Sequence, residues 1–558
     1  MPVPSAAHSS APPAEPTAAQ FAASTSAPPA ARSAPAGSPL PRTAVEDVAA
    51  MLPEWLETVR HLRRQSGFQA AIWHDGELVT EVAVGSADAP SGIPLLTTHR
   101  LRIASHSKMF TALAIMRLKE QGRLRLDDTV GDHVGELADS PVADRTLRDL
   151  LSHSAGLTRD ADDSRWWRLG IPFADRARLL EIARTGAVKA EAGLHLQYSN
   201  IGYGLLGLVI EEITDSSFAE AITELVLDPV GVGGVGPDLP ADAAGPQQAD
   251  GFALGHTSLL HGPRRTVAQV STGALAAATG FWADAGAIAS VAGRVLTGGA
   301  LLEPASLREM RRRVWTLDDG GQYGLGLQEG RLHGFTVVGH SGGFPTGLSR
   351  TWAAPAEHLV VSVIGTSVDS PSSEIAHGIL GLLSLAAGRP APQADQWERA
   401  GAQGGASDGR ARPDVLAEQP GVAVAGAGAE SEAGDVPVTA AQVAELVVGT
   451  YDSLWGRTRL VTLGGRLFFV DESSTDPTAT ALELAVSGVR ADPIDPEIEV
   501  VELATWGDSG YGSWAEPILA RLERRGAGEM LRCTGLVVTG QLKTPSADFE
   551  MPERVIAP

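Results

Sequence analysis

LRIASHSKMFTALAIMRLKEQG, residues 101–122, opens on a strand-like run, LRIA, that stops at Ser105. A helix is expected to follow. Met109, Phe110, Leu113, Ile115 and Met116 make it apolar almost all round, and Gly122 ends it. A helix apolar on every side belongs inside a core. Ser105 stands at its N-terminus, and Lys108 lies one turn later on the same face. An amine is thereby set beside a hydroxyl in a partly dry place. A serine hydroxyl is a weak nucleophile until a base takes its proton. A lysine is such a base only where burial or neighbouring positive charge lowers its pKa. The helix N-terminus adds backbone N–H groups free to meet a developing oxyanion. An N-cap serine followed by a lysine that snorkels to water fits the same letters, and the spacing alone leaves both open. The chain has only four lysines, Lys108, Lys119, Lys189 and Lys543, and only Lys108 sits in such a helix with a serine three residues before it. Ser107 is adjacent to Lys108, and neighbours at i, i+1 on a helix do not face each other.

Two further clusters share the character of the first. In LHLQYSNIGYGLLGLVIEEITD (194–215), Tyr198, Ser199 and Asn200 precede an apolar helix that begins near Ile201. The tyrosine can relay a proton and the asparagine can hold a carbonyl, or Asn200 simply caps the helix. In VVGHSGGFPTG (337–347), a strand ends at His340, and Gly342-Gly343 lets backbone approach a ligand closely.

Outward from these clusters the chain divides into four. Residues 1–42 are rich in Ala, Pro and Ser and read as disordered. Residues 43–388 mix helices and strands. VEDVAAMLPEWLETVRHLRR (45–64) has helical spacing, and Asp75-Gly76 between FQAAIWH (68–74) and ELVTEVAVG (77–85) signals a hairpin. FTVVGH (335–340) and HLVVSVIGT (358–366) read as strands, and SSEIAHGILGLLSLAAG (372–388) as a closing helix. Residues 389–437, dominated by Gly, Ala, Pro and charge, read as a linker. Residues 438–558 read as a small antiparallel sheet or barrel, with a hairpin at Gly464-Gly465.

At 558 residues the chain is long enough for two or three domains. The formal charge of −23 argues against nucleic acid or an anionic membrane as partner. The single cysteine, Cys533, excludes an internal disulfide and any cysteine-based metal site. MPVPSAAHSSAPPAEPTAAQ has neither a basic n-region nor an apolar h-region, so no signal peptide is read and a cytoplasmic location is expected. No apolar stretch is long enough to span a bilayer.

The three clusters stand in the order Ser-x-x-Lys, Tyr-x-Asn, His-x-Gly. With RLRIASHSKMFTALAIMRLKEQGRLRLDDTV (100–130), TLRDLLSHSAGLTRD (146–160), LVLDPVGV (225–232), LTGGALLEPASLREM (296–310) and QYGLGL (322–327), the region resembles the serine β-lactamase and DD-peptidase superfamily. That superfamily includes class C β-lactamases, D-aminopeptidases and related esterases. The resemblance implies an α+β fold, an antiparallel sheet flanked by helices with an inserted helical lobe. It implies catalytic Ser105 as the acylated nucleophile, with Lys108 and Tyr198 moving the proton. Asn200 would bind the substrate amide or the lysine network, and the N–H groups of Ser105 and Gly343 would form the oxyanion hole. His340, Gly342 and Gly343 would line the substrate site.

His340 stands where β-lactamases mostly carry lysine. A histidine is largely neutral near pH 7, so recognition of a β-lactam carboxylate is in doubt, and the esterase and D-aminopeptidase branches fit better. His153 is expected to support the fold. Trp166 and Trp167 either line a cleft or pack. GTYDSLWGRTRLVTLGGRLFFV (449–470) is similar to barrel-like modules appended in those branches. The expected activity is hydrolysis of an ester, amide or D-amino-acid peptide on a small-molecule or peptide substrate, with no metal or organic cofactor. β-Lactam or DD-peptide chemistry, acyl transfer, and a non-catalytic scaffold or sensor remain the alternatives, and the oligomeric state is not legible.

Overall fold

The structure is a computed structural model and describes residues 40–239, 251–317, 320–389, 422–424, 436–471, 481–492, 495, 498–505, 517–523, 531–538, 541–552 and 555–556. Of the N-terminal segment expected to be disordered over 1–42, residues 1–39 lie outside them, as does most of the expected linker, whereas Leu40 is buried and a helix starts at Arg42. Val422–Val424 of that linker and Val436–Val438 at its end pair as a short antiparallel ribbon.

The centre is a nine-stranded antiparallel sheet. Its strands are β1 (Gly67–His74), β2 (Glu77–Asp88), β3 (Ile93–Pro94), β4 (Trp315–Thr316), β5 (Gln322–Tyr323), β6 (Gln328–Leu332), β7 (Phe335–Phe344), β8 (Gly347–Ala354) and β9 (Leu359–Gly365). Their order is β3-β2-β1-β9-β8-β7-β6-β5-β4. β1 is buried at every position because it lies mid-sheet with both faces covered. Its alternation sorts the side chains. Phe68, Ala70 and Ile72 join one core with helices α1 (Arg42–Leu62) and α5 (Ser372–Ala386). Ala71 and Trp73 join the larger core on the other face. That core holds α2 (Ser107–Glu120), α3 (Asn200–Thr214) and α4 (Ala285–Ala292). The hairpin expected at Asp75-Gly76 forms, with φ of 50° and 91°, the paired positive values of a type I′ turn. The helices expected over 45–64 and 372–388 are α1 and α5.

α2 meets its expectation of burial all round, with eleven of its fourteen residues inside. The run before it differs from expectation. Only Leu101 and Arg102 are extended, pairing with Ala283 and Trp282. The backbone then turns at Ala104 (φ 49°) through a short 3-10 turn, Ala104–His106, into the helix.

The C-terminal part is a closed eight-stranded barrel, β10 (Gly449–Ser453), β11 (Gly456–Leu463), β12 (Arg466–Asp471), β13 (Leu482–Ala491), β14 (Glu499–Thr505), β15 (Ile518–Glu523), β16 (Arg532–Val538) and β17 (Gln541–Pro545). α6 (Ala440–Val447) packs Val443, Ala444 and Val447 into its core beside Leu460, Phe469 and Leu503. The Gly464-Gly465 hairpin forms, both glycines at positive φ. Cys533 is half-buried in this barrel. Among the described residues no helix is long and apolar enough to cross a membrane.

Candidate active site

From Leu101 to Met116 every residue is buried except Ser105, which is partly open. The strained turn at Ala104 produces that exception. Ser107, by contrast, faces inward, where its Oγ donates to Ala104 O (2.5 Å) and accepts from Phe281 N (2.9 Å). Ser107 thus fastens the turn that presents Ser105.

Lys108 is fully buried. Its Nζ lies 2.7 Å from Asn200 Oδ1, 2.9 Å from Ala278 O and 3.4 Å from Ser105 Oγ. Burial pushes the ammonium well below the usual lysine range, and the Arg159 guanidinium pushes the same way against Asp160. A neutral amine has two hydrogens and one lone pair. The two carbonyl oxygens take the hydrogens, and the lone pair is left toward the serine hydroxyl. The Tyr198 hydroxyl bonds Ser105, and burial raises its phenol above the usual tyrosine range. The Tyr198 ring lies 4.6 Å from Lys108 Nζ.

Asn200 opens α3, and Ser199, not Asn200, is the cap, its Oγ accepting from Gly202 N at 2.8 Å. Asn200 Nδ2 donates to the buried Asp160 Oδ1 at 2.7 Å, which turns the amide oxygen to Lys108. Arg159 Nε donates to the other Asp160 oxygen at 3.1 Å. Of the two partners the sequence left open for Asn200, the geometry gives the lysine.

β7 runs past its last pairing with β6, at Gly339, and leaves His340–Phe344 bordered by β8 on one side only. Gly342 in this stretch lies against the backbone that leads into the Ser105 turn. A Cβ at Gly342 would fall 2.0 Å from Ile103 O, so only glycine lets the strand come this near. Gly343 follows and is partly open. His340, expected to line the substrate site, is set deep in the strand. It is buried, its Nδ1 donates to Ser341 O (2.6 Å), and its Nε2 accepts from the Tyr323 hydroxyl (3.2 Å). Burial, with His106 and Lys108 nearby, holds it well below the usual histidine range, so it is neutral.

Several residues at the site were not singled out from sequence. Asp160 and Arg159 end the LLSHSAGLTRD run. Tyr323 lies in QYGLGL, and Tyr203 donates to Leu151 O at 2.7 Å. His153 was expected to serve the fold. It accepts from Ser199 N at 3.0 Å, and its ring lies tilted 4.1 Å from that of Tyr198 and about 5 Å from those of Tyr203 and Tyr323. Trp166 and Trp167 are buried, the second edge-on to Phe344. The tyrosine partners of His153 are too distant along the chain to be read from the sequence. Among the described residues no group of three His, Cys, Asp or Glu side chains is placed to hold a metal ion.

A partly open serine on a strained turn, a buried amine and a glycine strand edge on a helix-flanked antiparallel sheet are the arrangement of the β-lactamase fold. The Beta-lactamase family model matches residues 55–386, more than half of the chain, and the chain belongs to that family. It is 25% identical over 349 residues to the "Putative D-alanyl-D-alanine carboxypeptidase" of Escherichia coli O157:H7, covering 55% of this chain and 80% of that protein. It is 29% identical over 172 residues to Protein flp of Staphylococcus aureus (strain COL). That match spans 29% of this chain and only 33% of the relative's length. In solved structures, SurE superposes with a TM-score of 0.54 at 21% identity, covering 90% of this chain and all of that one. An octameric penicillin-binding protein homologue from Pyrococcus abyssi gives 0.53 at 19% identity, covering 88% and 99%. A D-stereospecific amidohydrolase from Streptomyces sp. gives 0.50 at 21% identity, covering 60% and 97%. These similarities extend the fold, including the C-terminal barrel's share of the chain for the first two.

Proposed function

We propose that the chain hydrolyses an ester, amide or D-amino-acid peptide bond through an acyl-enzyme on Ser105. The observation that carries this is Lys108, with two carbonyl acceptors for two amine hydrogens and its third direction toward Ser105 Oγ. Ser105 Oγ gives its proton to Lys108 Nζ and forms a bond to the substrate carbonyl carbon. The carbonyl oxygen becomes an oxyanion between the N–H groups of Ser105 and Gly343. On collapse, the bond to the leaving group breaks, and the Tyr198 hydroxyl hands it a proton that Lys108 replaces. Water then attacks the acyl carbon, with Lys108 and Tyr198 again moving its proton, and Ser105 is released. Asn200 holds Lys108 in place. The names of a D-stereospecific amidohydrolase and a D-amino acid amidase among the structural relatives support D-amino-acid amides as candidates beside esters.

The test is labelling of the whole chain with a fluorophosphonate, with the adduct mapped by mass spectrometry. An adduct on Ser105, lost in Ser105→Ala, is expected. An adduct on Ser107, or none, would overturn the assignment, and the absence of any adduct favours a scaffold or sensor.

β-Lactam hydrolysis is the second reading, and the neutral His340 weighs against it. A carboxylate in a partly dry cleft needs a compensating cation. Lys108 as base begins neutral, and Arg350 already donates to Gln328 (2.8 Å) and Ser373 (3.2 Å). Uncharged esters or amides are therefore expected to be turned over with higher kcat/KM than a chromogenic cephalosporin. Efficient cephalosporin hydrolysis by the wild type would reverse the preference.

A further inference from the structure

The C-terminal barrel reaches the edge of the catalytic cleft. The turn between β10 and β11 carries Leu454 and Trp455 out of the barrel. Leu454 packs with Leu169 and Val267 of the catalytic domain. Trp455 meets Trp167 edge-on at 6.0 Å between ring centroids. The same indole lies 3.6 Å from where a Cβ would stand on Gly343, the residue whose N–H faces the reacting carbonyl in the mechanism above. A cavity of about 730 Å³ opens beside it. Its walls include Arg63, Leu348, Asp369, Glu374, Trp455 and Arg457. Leu348 pairs with Gly343 across β7 and β8, so both Leu348 and Trp455 stand beside Gly343 and line the cavity.

Two further observations describe what fits there. The charges on the cavity wall are already matched. Arg63 pairs with Glu374 at 3.4 Å, Arg264 with Asp369 at 2.7 Å, and Arg457 with Asp452 at 2.8 Å. Two cations and two anions line the space, which suits a polar ligand of little net charge. The indole Nε1 atoms of Trp167 and Trp455 are both buried with no acceptor among the described residues. Neither N–H is open to the cavity, so Trp455 presents its apolar ring there.

We propose that this cavity, walled by Trp455 of the barrel, is an extended subsite that takes an uncharged peptide-like chain running past Gly343 from the bond cleaved at Ser105. The position of the subsite rests on Ser105 being the reacting residue. The volume lies within the range of pockets that enclose a ligand of several residues' size rather than a short acyl group. A substrate that fills it contacts both domains, so the barrel is a specificity element of the hydrolase and not a passive appendage.

The test uses full-length protein and N-acetylated, C-amidated peptides of one to five residues. Binding is measured by calorimetry to Ser105→Ala protein, with and without Trp455→Ala. Affinity is expected to rise at least tenfold with chain length when Trp455 is present, and the rise is expected to collapse in Trp455→Ala. An equal gain with length in both proteins overturns the subsite. Should Trp455→Ala fail to fold, Glu374→Ala and Arg457→Ala on the far wall replace it, and the same loss or persistence of the length effect decides. Failure of Ser105 to take a fluorophosphonate in the wild type would sink the hydrolase reading separately, because the binding comparison does not depend on turnover.

Discussion

Asp160 has no solvent exposure, yet it governs which way Asn200 faces. An amide can be turned over without changing its shape, and the carboxylate on Nδ2 forbids the turn that would set an N–H against Lys108. Asp160→Ala is expected to cost about 1.5–3 kcal/mol of stability, the usual worth of a hydrogen bond to a charged group. It is expected to lower kcat by about 100-fold through misplacement of Lys108. Asp160→Asn keeps an acceptor and should recover part of both. The pH profile separates positioning from mere unfolding. In the proposed mechanism Lys108 is the base and starts neutral, so kcat/KM should fall as pH drops through its depressed pKa. Asp160 raises that pKa, so its removal should move the acid limb to lower pH. An unmoved limb with reduced stability would make Asp160 purely structural. Tyr198, whose phenol is raised, should add no alkaline limb near neutral pH.

At the level of elements, the site is a strand edge laid against a turn, and the approach distance is set by one residue. Gly342→Ala places a methyl carbon on Ile103 O. It is expected to destabilise by about 1–3 kcal/mol, as overpacked sites do, and to remove most activity. Gly343→Ala meets its neighbours at 3.4 Å or more and neither residue needs a positive φ, so its melting temperature should stay near the wild-type value. Thermal melts of the two variants check the contrast, and equal loss in both would refute it. The α2 helix, the Asp75-Gly76 hairpin and the Ser105–Lys108 pair were legible because each is a local pattern within a few residues. Tyr323 against His340, Asp160 against Asn200 and Trp455 against Gly343 were not. Those contacts join segments from 17 to more than 100 residues apart, and local periodicity holds no record of them. His340 shows the limit from the other side. Its identity implies a group with little charge near neutral pH, and only the fold reveals that Tyr323 occupies its second nitrogen.

For the molecule as a whole, the buried histidines set an acid limit. Burial pushes His106 and His256 down to about 4, and His153 and His340 lie well below the usual value. In the unfolded chain each takes up its proton near pH 6.5. Between that pH and the folded pKa the unfolded state therefore holds more protons, and stability is lost as pH falls. The melting temperature is expected to be level from pH 8 to about 7 and to drop steadily from pH 6.5 to 4.5. A flat profile across that range would contradict the burial of these rings. The barrel's attachment has a different consequence. Val555-Ile556, near the C-terminus, pair with Thr266-Val267 of the catalytic domain, while His261 Nε2 lies 2.8 Å from Ser453 O and stacks on Phe549 at 4.6 Å. The C-terminal half therefore carries a strand woven into the catalytic half. A protease that severs the chain once between Arg389 and Val422 should yield two bands on a denaturing gel but a single peak on gel filtration, the nicked halves travelling together as a clasped pair.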